Sequence, residues 1–135
     1  MTSELLEAVK LSEGFRDRVY KDTLGIDTIG YGFAIKDLVL DEDISEIILR
    51  RKLDKLVDRV NKRFAWLSDL PIEAQDVIYE MCYQLGITGV SKFKKTLAYL
   101  ENFEYKMASK EMLDSKWARQ TPNRAKRLSE IIGIL

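Results

Sequence analysis

The chain contains no histidine, one cysteine and two prolines in 135 residues. Without histidine, Ser-His-Asp and Cys-His nucleophilic catalysis and the common zinc sites are excluded. A lone Cys82 cannot form an intramolecular disulfide. Its neighbours Met81 and Tyr83 lie in a helical pattern, which points to a buried structural thiol. No stretch approaches the roughly 18 apolar residues of a membrane span, so no stable membrane insertion is expected. The opening MTSELLEAVK lacks the basic region and apolar run of a signal peptide. Synthesis in a cytosol with no export signal of its own is therefore expected. Net charge is also missing: 22 basic residues face 22 acidic ones. No global polycation calls for a nucleic acid partner. There is no internal repeat, no low-complexity segment and no Ser/Gly/Pro-rich linker.

What the chain does have is a 46% apolar content, enough for one compact domain with a sizeable core. Its charge is unevenly placed. Residues 1–46 carry 5 Lys/Arg against 11 Asp/Glu, and residues 91–135 carry 10 against 5. An acidic beginning and a basic end suit each other in a fold, and the basic end suits an anionic polymer.

Thr2 or Ser3 caps a first helix that Gly14 stops, leaving Glu13 at its end. From Phe15 to Ile35 the texture turns to β-formers, with Gly25 in a turn and Gly30 and Gly32 inside a strand. Glycines so placed mark a bulge or a close backbone approach. The spacing predicts a small hairpin or three-stranded sheet over 13–41. A long helix over 42–64, capped by Asp41, follows; its length of about 30 Å can lead from a small lobe into a larger one. Further helices are expected over 72–85, ended by Gly86 and followed by a loop at 87–89, then near 90–101 and 105–114, and finally from Pro122 onward. Trp66 is expected in the core. The fold class is α+β, mostly helical. A small N-terminal β lobe is joined by the long helix to a larger helical lobe of about 1–12 and 60–135.

The chemistry concentrates in residues 12–32, SEGFRDRVYKDTLGIDTIGYG. Glu13 ends a helix, Asp22 follows an extended run, and Thr28 opens a glycine-punctuated strand. Hydrolysis of a glycosidic bond needs one acid to protonate the leaving oxygen and one carboxylate to activate water or attack carbon. Eight residues between Glu13 and Asp22 let the chain fold back as a strand facing the helix end. The Thr28 hydroxyl can then orient a water beside Asp22. The same spacing also suits a helix-terminal glutamate and a turn-forming aspartate without chemistry.

Three pieces, Glu13-Gly14, Tyr20-Lys21-Asp22-Thr23 and Thr28-Ile29-Gly30-Tyr31-Gly32, resemble the catalytic motif of glycoside hydrolase family 24, the T-even phage lysozyme-like endolysins. YQLGITG at 83–89 is similar to the segment lining that family's cleft. SKWARQTPNRAKR at 115–127 is similar to its late segment. The resemblance implies a lysozyme-like fold and a muramidase acting on peptidoglycan during host cell lysis. It implies Glu13 as general acid, Asp22 as the base-side carboxylate and Thr28 as a holder of the attacking water. Overall inversion is implied, with carboxyl groups roughly 6.5 to 9.5 Å apart. Tyr83, Gln84 and Thr96 match substrate-facing positions. Arg124 would approach Glu13 with Thr121 nearby, which sets up a tension: a close arginine lowers a carboxylic acid's pKa, whereas burial raises it. Trp117 either packs the late segment or stacks on sugar. No cofactor or metal is implied, and the expected state is a monomer.

Departures are also visible. Few residues separate the Gly30/Gly32 strand from the long helix, so the β lobe should be reduced. Phe33 stands where many members have histidine. The expected setting is a host cytoplasm until a separate holin opens access to the periplasm and wall. A lytic transglycosylase and a non-catalytic wall-binding module are the rival readings.

Overall fold

The computed structural model describes all 135 residues, Met1–Leu135. It divides into two compact units, Met1–Glu46 and Ile47–Leu135.

The first unit opens with helix α1, Ser3–Glu13. Thr2 caps it: its hydroxyl accepts from the Leu5 N–H at 3.1 Å. Gly14 closes it, with φ 69° and its N–H bonded to the Lys10 carbonyl at 2.9 Å. Glu13 is thus the last helical residue, as its position before a glycine predicts.

Strands β1 (Arg16–Lys21), β2 (Asp27–Gly30) and β3 (Phe33–Ala34) form one antiparallel sheet in chain order. Tyr20 pairs with Thr28 and Lys21 with Asp27, whereas Arg16 pairs with Gly30. Between those pairs β1 spends more residues than β2, so the register shifts through a bulge. A Lys21–Asp27 ion pair at 2.7 Å closes the hairpin end. Thr28 also pairs with Ala34, which makes it the central residue of three strands.

Helix α2, Glu42–Arg63, begins in the first unit and runs on into the second. Its 22 residues correspond to a length of about 33 Å. The second unit continues with α3 (Ile72–Ser91), α4 (Lys94–Glu101), α5 (Tyr105–Leu113), α6 (Lys116–Gln120) and α7 (Pro122–Gly133). Val60, Leu67, Val77, Ile78, Met81, Leu100, Met112, Leu128 and Ile132 form the centre of its core. Cys82 is buried there, and burial pushes its thiol up to about 11. Trp66, expected inside, sits half-buried at the core's edge against Phe64, ring centroids 5.9 Å apart.

The structure corrects the helix boundaries in three places. No loop occupies 87–89: Gly86 alone leaves helical geometry, at φ 77° and ψ 161°, and helix resumes through Ser91. One glycine in the left-handed region redirects the chain in a single step. The resumed turn lets Val90 enter the core, with Ile87 packed beside it. The following helix consequently starts at Lys94, not near 90. Helix α6, at 116–120, lies outside the predicted helices. Ser115 caps it, accepting from the Ala118 N–H at 3.1 Å, and its burial of Trp117 and Ala118 provides the packing that so short a helix requires.

Candidate active site

The residues of the opening motif all lie in the first unit, each held by local backbone geometry. Glu13 comes from the end of α1, and its carboxylate lies against Gly32 in the β2–β3 turn. A Cβ built on Gly32 would collide with Glu13 Oε2 and sit 3.1 Å from Cδ. Gly32 also has φ 76°. The glycine is therefore required twice, once by its backbone conformation and once by the acid it leaves room for.

Asp22 and Thr28 converge on one residue, Ile26. Asp22 Oδ1 accepts from the N–H groups of Leu24, at 2.8 Å, and Ile26, at 2.9 Å. The Ile26 carbonyl accepts from the Asp22 N–H at 3.0 Å and from the Thr28 hydroxyl at 2.8 Å. The turn is thus an Asx-type turn that fixes the aspartate from two sides. Thr28 is 3% exposed, and its only hydroxyl proton is committed to that carbonyl. What Thr28 Oγ1 can still offer is lone pairs, so a water held there must donate to it. We expect Thr28→Val to cost about 1 kcal/mol of stability through loss of this buried bond, read as a lowered denaturant midpoint at unchanged slope.

The remaining expected residues lie in the second unit. Gln84 Oε1 accepts from the Trp117 indole N–H at 2.9 Å. Trp117 is buried and meets the Phe93 ring edge-on at 5.9 Å, so it packs the late segment. Thr96 is buried at the start of α4 yet borders a cavity of about 550 Å³ that Trp117, Phe93, Lys95 and Lys116 also line. Tyr83 is half exposed and borders a second cavity, of about 400 Å³, together with Lys52, Lys55 and Arg59. Thr121 donates its hydroxyl to the Trp117 carbonyl at 3.0 Å. No group of three or more acidic or sulfur side chains is disposed to hold a metal ion.

Arg124 is tied to a residue that the sequence reading missed. Its Nε donates to Glu80 Oε2 at 2.9 Å, and Arg127 Nη2 donates to the same oxygen at 2.6 Å. The signal was present: Glu80 is the lone acid within the apolar run Val77-Ile78-Tyr79-Glu80-Met81-Cys82, and two arginines at i and i+3 occur on a later helix. Partial burial pushes the Glu80 carboxyl up, but the Arg127 and Arg124 guanidinium groups outweigh it, leaving the pKa lowered from 4.5. A carboxylate with a depressed folded pKa adds stability above its unfolded pKa and loses it as pH falls through the folded value. Wild-type protein should therefore lose more thermal stability between pH 6 and pH 3 than Glu80→Gln does. Parallel Tm–pH curves for the two would contradict the assignment.

The motif's side chains are two carboxylates and a hydroxyl, with Asp22 held by backbone N–H groups and Thr28 by a backbone carbonyl, and no thiol or imidazole among them. Acid–base hydrolysis is the chemistry such groups perform, and the glycosidases of the lysozyme class perform it with two carboxylates. The sequence profile of the phage lysozyme family matches residues 10–130, and the chain belongs to that family. It is 27% identical to probable T4-type lysozyme 1 of Dictyostelium discoideum, over 98% of this chain and 95% of that protein. Probable T4-type lysozyme 2 of the same organism is 28% identical over 97% of this chain and 94% of its own length. The pre-baseplate central spike protein Gp5 of Enterobacteria phage T4 is 28% identical over 95% of this chain, which matches 27% of that longer protein. The first of these alignments runs over 161 residues against 135 here, so that relative carries segments this chain lacks.

Proposed function

We propose that the protein is a muramidase that hydrolyses the β-1,4 bond between N-acetylmuramic acid and N-acetylglucosamine in peptidoglycan. The observation that supports this reading is the double use of Ile26, whose N–H donates to Asp22 and whose carbonyl accepts from Thr28. Glu13 protonates the leaving glycosidic oxygen. A water donates one hydrogen to Asp22 and one to Thr28 Oγ1, which aims its lone pair at the anomeric carbon. Asp22 takes the proton as the oxygen–carbon bond forms. Attack by water on the face opposite the leaving group inverts the anomeric configuration. Tyr83, Gln84 and Thr96 contribute to the sugar-binding surface, with Thr121 supporting Arg124.

Lysis of a bacterial host is the setting that fits family membership. No helix is long and apolar enough to cross a membrane. In the proposed lysis setting a separate holin gives the enzyme passage from the host cytoplasm to the wall, and the enzyme acts as a monomer.

Product analysis on purified peptidoglycan tests the reaction. Hydrolysis yields reducing N-acetylmuramic acid ends, initially as the α-anomer by NMR. Anhydro ends would identify a transglycosylase instead, and an absence of cleavage would leave a wall-binding module.

A further inference from the structure

We infer that the second unit carries a binding site for an anionic pyranose, a sugar ring bearing a carboxylate or a phosphate group. The site is the cavity of about 400 Å³ between α2 and the Gly86 kink of α3. It does not rest on the muramidase reading: every residue lining it belongs to Ile47–Leu135, and none to the motif of Glu13, Asp22 and Thr28. Lys52, Lys55 and Arg59 stand at i, i+3 and i+7 of α2, so they follow one strip of that helix. None of the three is ion-paired. Asp58, the acid three residues after Lys55, pairs instead with Lys62 at 3.8 Å. No acid lines the cavity. The larger cavity differs, since it sets its lysines beside Glu111 and Asp114.

The walls select the ligand. A recess lined by one sign of charge and backed by apolar groups focuses its field and concentrates counter-ions. Leu56 and the buried Cys82 supply the apolar part, and burial keeps the Cys82 thiol protonated at neutral pH, so it adds no opposing charge. Arg59 offers a planar fork that can grip two oxygens of one anionic group, and Lys52 and Lys55 add point charges. A bare anion would satisfy these three and leave most of the cavity unfilled. The volume, near the lower end for small-molecule sites, suits one sugar ring. Tyr83 is 47% exposed and offers a ring face beside a hydroxyl, the same mixture of apolar and polar surface that a pyranose has. Gly86 adds no side chain to the cavity wall, and its surroundings are open: a Cβ built there would meet nothing within 4 Å. A solvated lysine face would account for the cations. It would not account for their sharing an acid-free cavity with an exposed aromatic ring.

The test is binding to the full chain, followed by NMR chemical-shift changes. The probes are glucose-6-phosphate, glucuronate, neutral glucose and inorganic phosphate. The anionic sugars should shift Tyr83 and Ile87, and whichever binds more tightly names the anionic group. That sugar should bind roughly ten-fold more tightly than either glucose or inorganic phosphate. Raising the salt from about 0.05 to about 0.5 M should weaken it several-fold, because exposed charges are screened. Arg59→Gln should weaken it roughly ten-fold and Lys55→Gln roughly three-fold, the fork counting for more than the point charge. Neither substitution breaks an ion pair, so both variants should keep the wild-type thermal midpoint. Shifts spread evenly over the lysine-rich surface, or an affinity unchanged in Arg59→Gln, would overturn the inference. So would inorganic phosphate binding as tightly as glucose-6-phosphate, which would reduce the cavity to a counter-ion recess. Hydrolysis is no part of the readout, so failure of the muramidase reading would leave these results as they are.

Discussion

Glu13→Gln is expected to reduce kcat on peptidoglycan by roughly 10³- to 10⁴-fold, the upper range for a positioned general acid. The substitution is isosteric, and glutamine is as good a helix former as glutamate, so α1 should persist to the same boundary. Gly14, at φ 69°, ends the helix whatever residue precedes it. Glutamine cannot deliver a proton to a leaving alkoxide, so the loss falls on kcat and leaves KM nearly unchanged. Asp22→Asn gives a useful comparison. Asparagine keeps an Oδ1 that can accept from Leu24 and Ile26, so the turn should survive while the basic oxygen is lost. Both variants should be folded and nearly inactive. An enzyme that still released reducing ends at more than about a tenth of the wild-type rate after Glu13→Gln would not use this acid.

Much of the fold was legible in the sequence because each feature has a short-range cause. Gly14 after Glu13 announces the end of a helix, and the change from helical to alternating spacing announces strands. The repeat of Ala74, Val77, Ile78, Met81 and Cys82 announces the most buried helix, and all five are in the core. Pro122 at the first turn of α7 behaves as proline at such a position should. What the pattern could not supply depends on partners far along the chain. Gly86 reads as a stop because a glycine usually is one; only the burial of Val90 requires the helix to resume. Helix α6 has five residues, too few to leave a periodic pattern, and exists because Trp117 must be held beside Gln84. Glu80 has no local reason at all. Its partners lie 44 and 47 residues away.

The same division applies to the motif. Residue identity pointed to Glu13, Asp22 and Thr28, but not to the way they are held. Asp22 uses one oxygen for structure, accepting two backbone N–H groups through Oδ1. The proposed reaction uses its other oxygen. Thr28 spends its proton on Ile26 and keeps its lone pairs. In the proposed mechanism each of the two is therefore half scaffold and half reagent. A reagent fixed by its own hydrogen bonds costs little reorganisation when the transition state forms.

Gly32→Ala should separate the seat of the acid from the stability of the hairpin. Gly32 and Gly25 have nearly the same φ, 76° and 78°. Alanine at either position should cost about 1 kcal/mol or more, because a Cβ in the left-handed region crowds the adjoining carbonyl. The two sites differ in what the new methyl group meets. At Gly25 nothing lies within 4 Å. At Gly32 the methyl would overlap Glu13 Oε2 and crowd Cδ at 3.1 Å and Cγ at 3.6 Å. The carboxylate end of a glutamate is flexible, so it should yield before the backbone does. Glu13 then survives in a folded protein but points elsewhere, and a displacement on the order of 1 Å can cost roughly 100-fold in kcat. Gly25→Ala should lose similar stability with a smaller loss of kcat, which arises only from strain in the turn that holds Asp22. Equal kcat in the two alanine variants would mean that the contact between Glu13 and Gly32 has no part in aiming the acid.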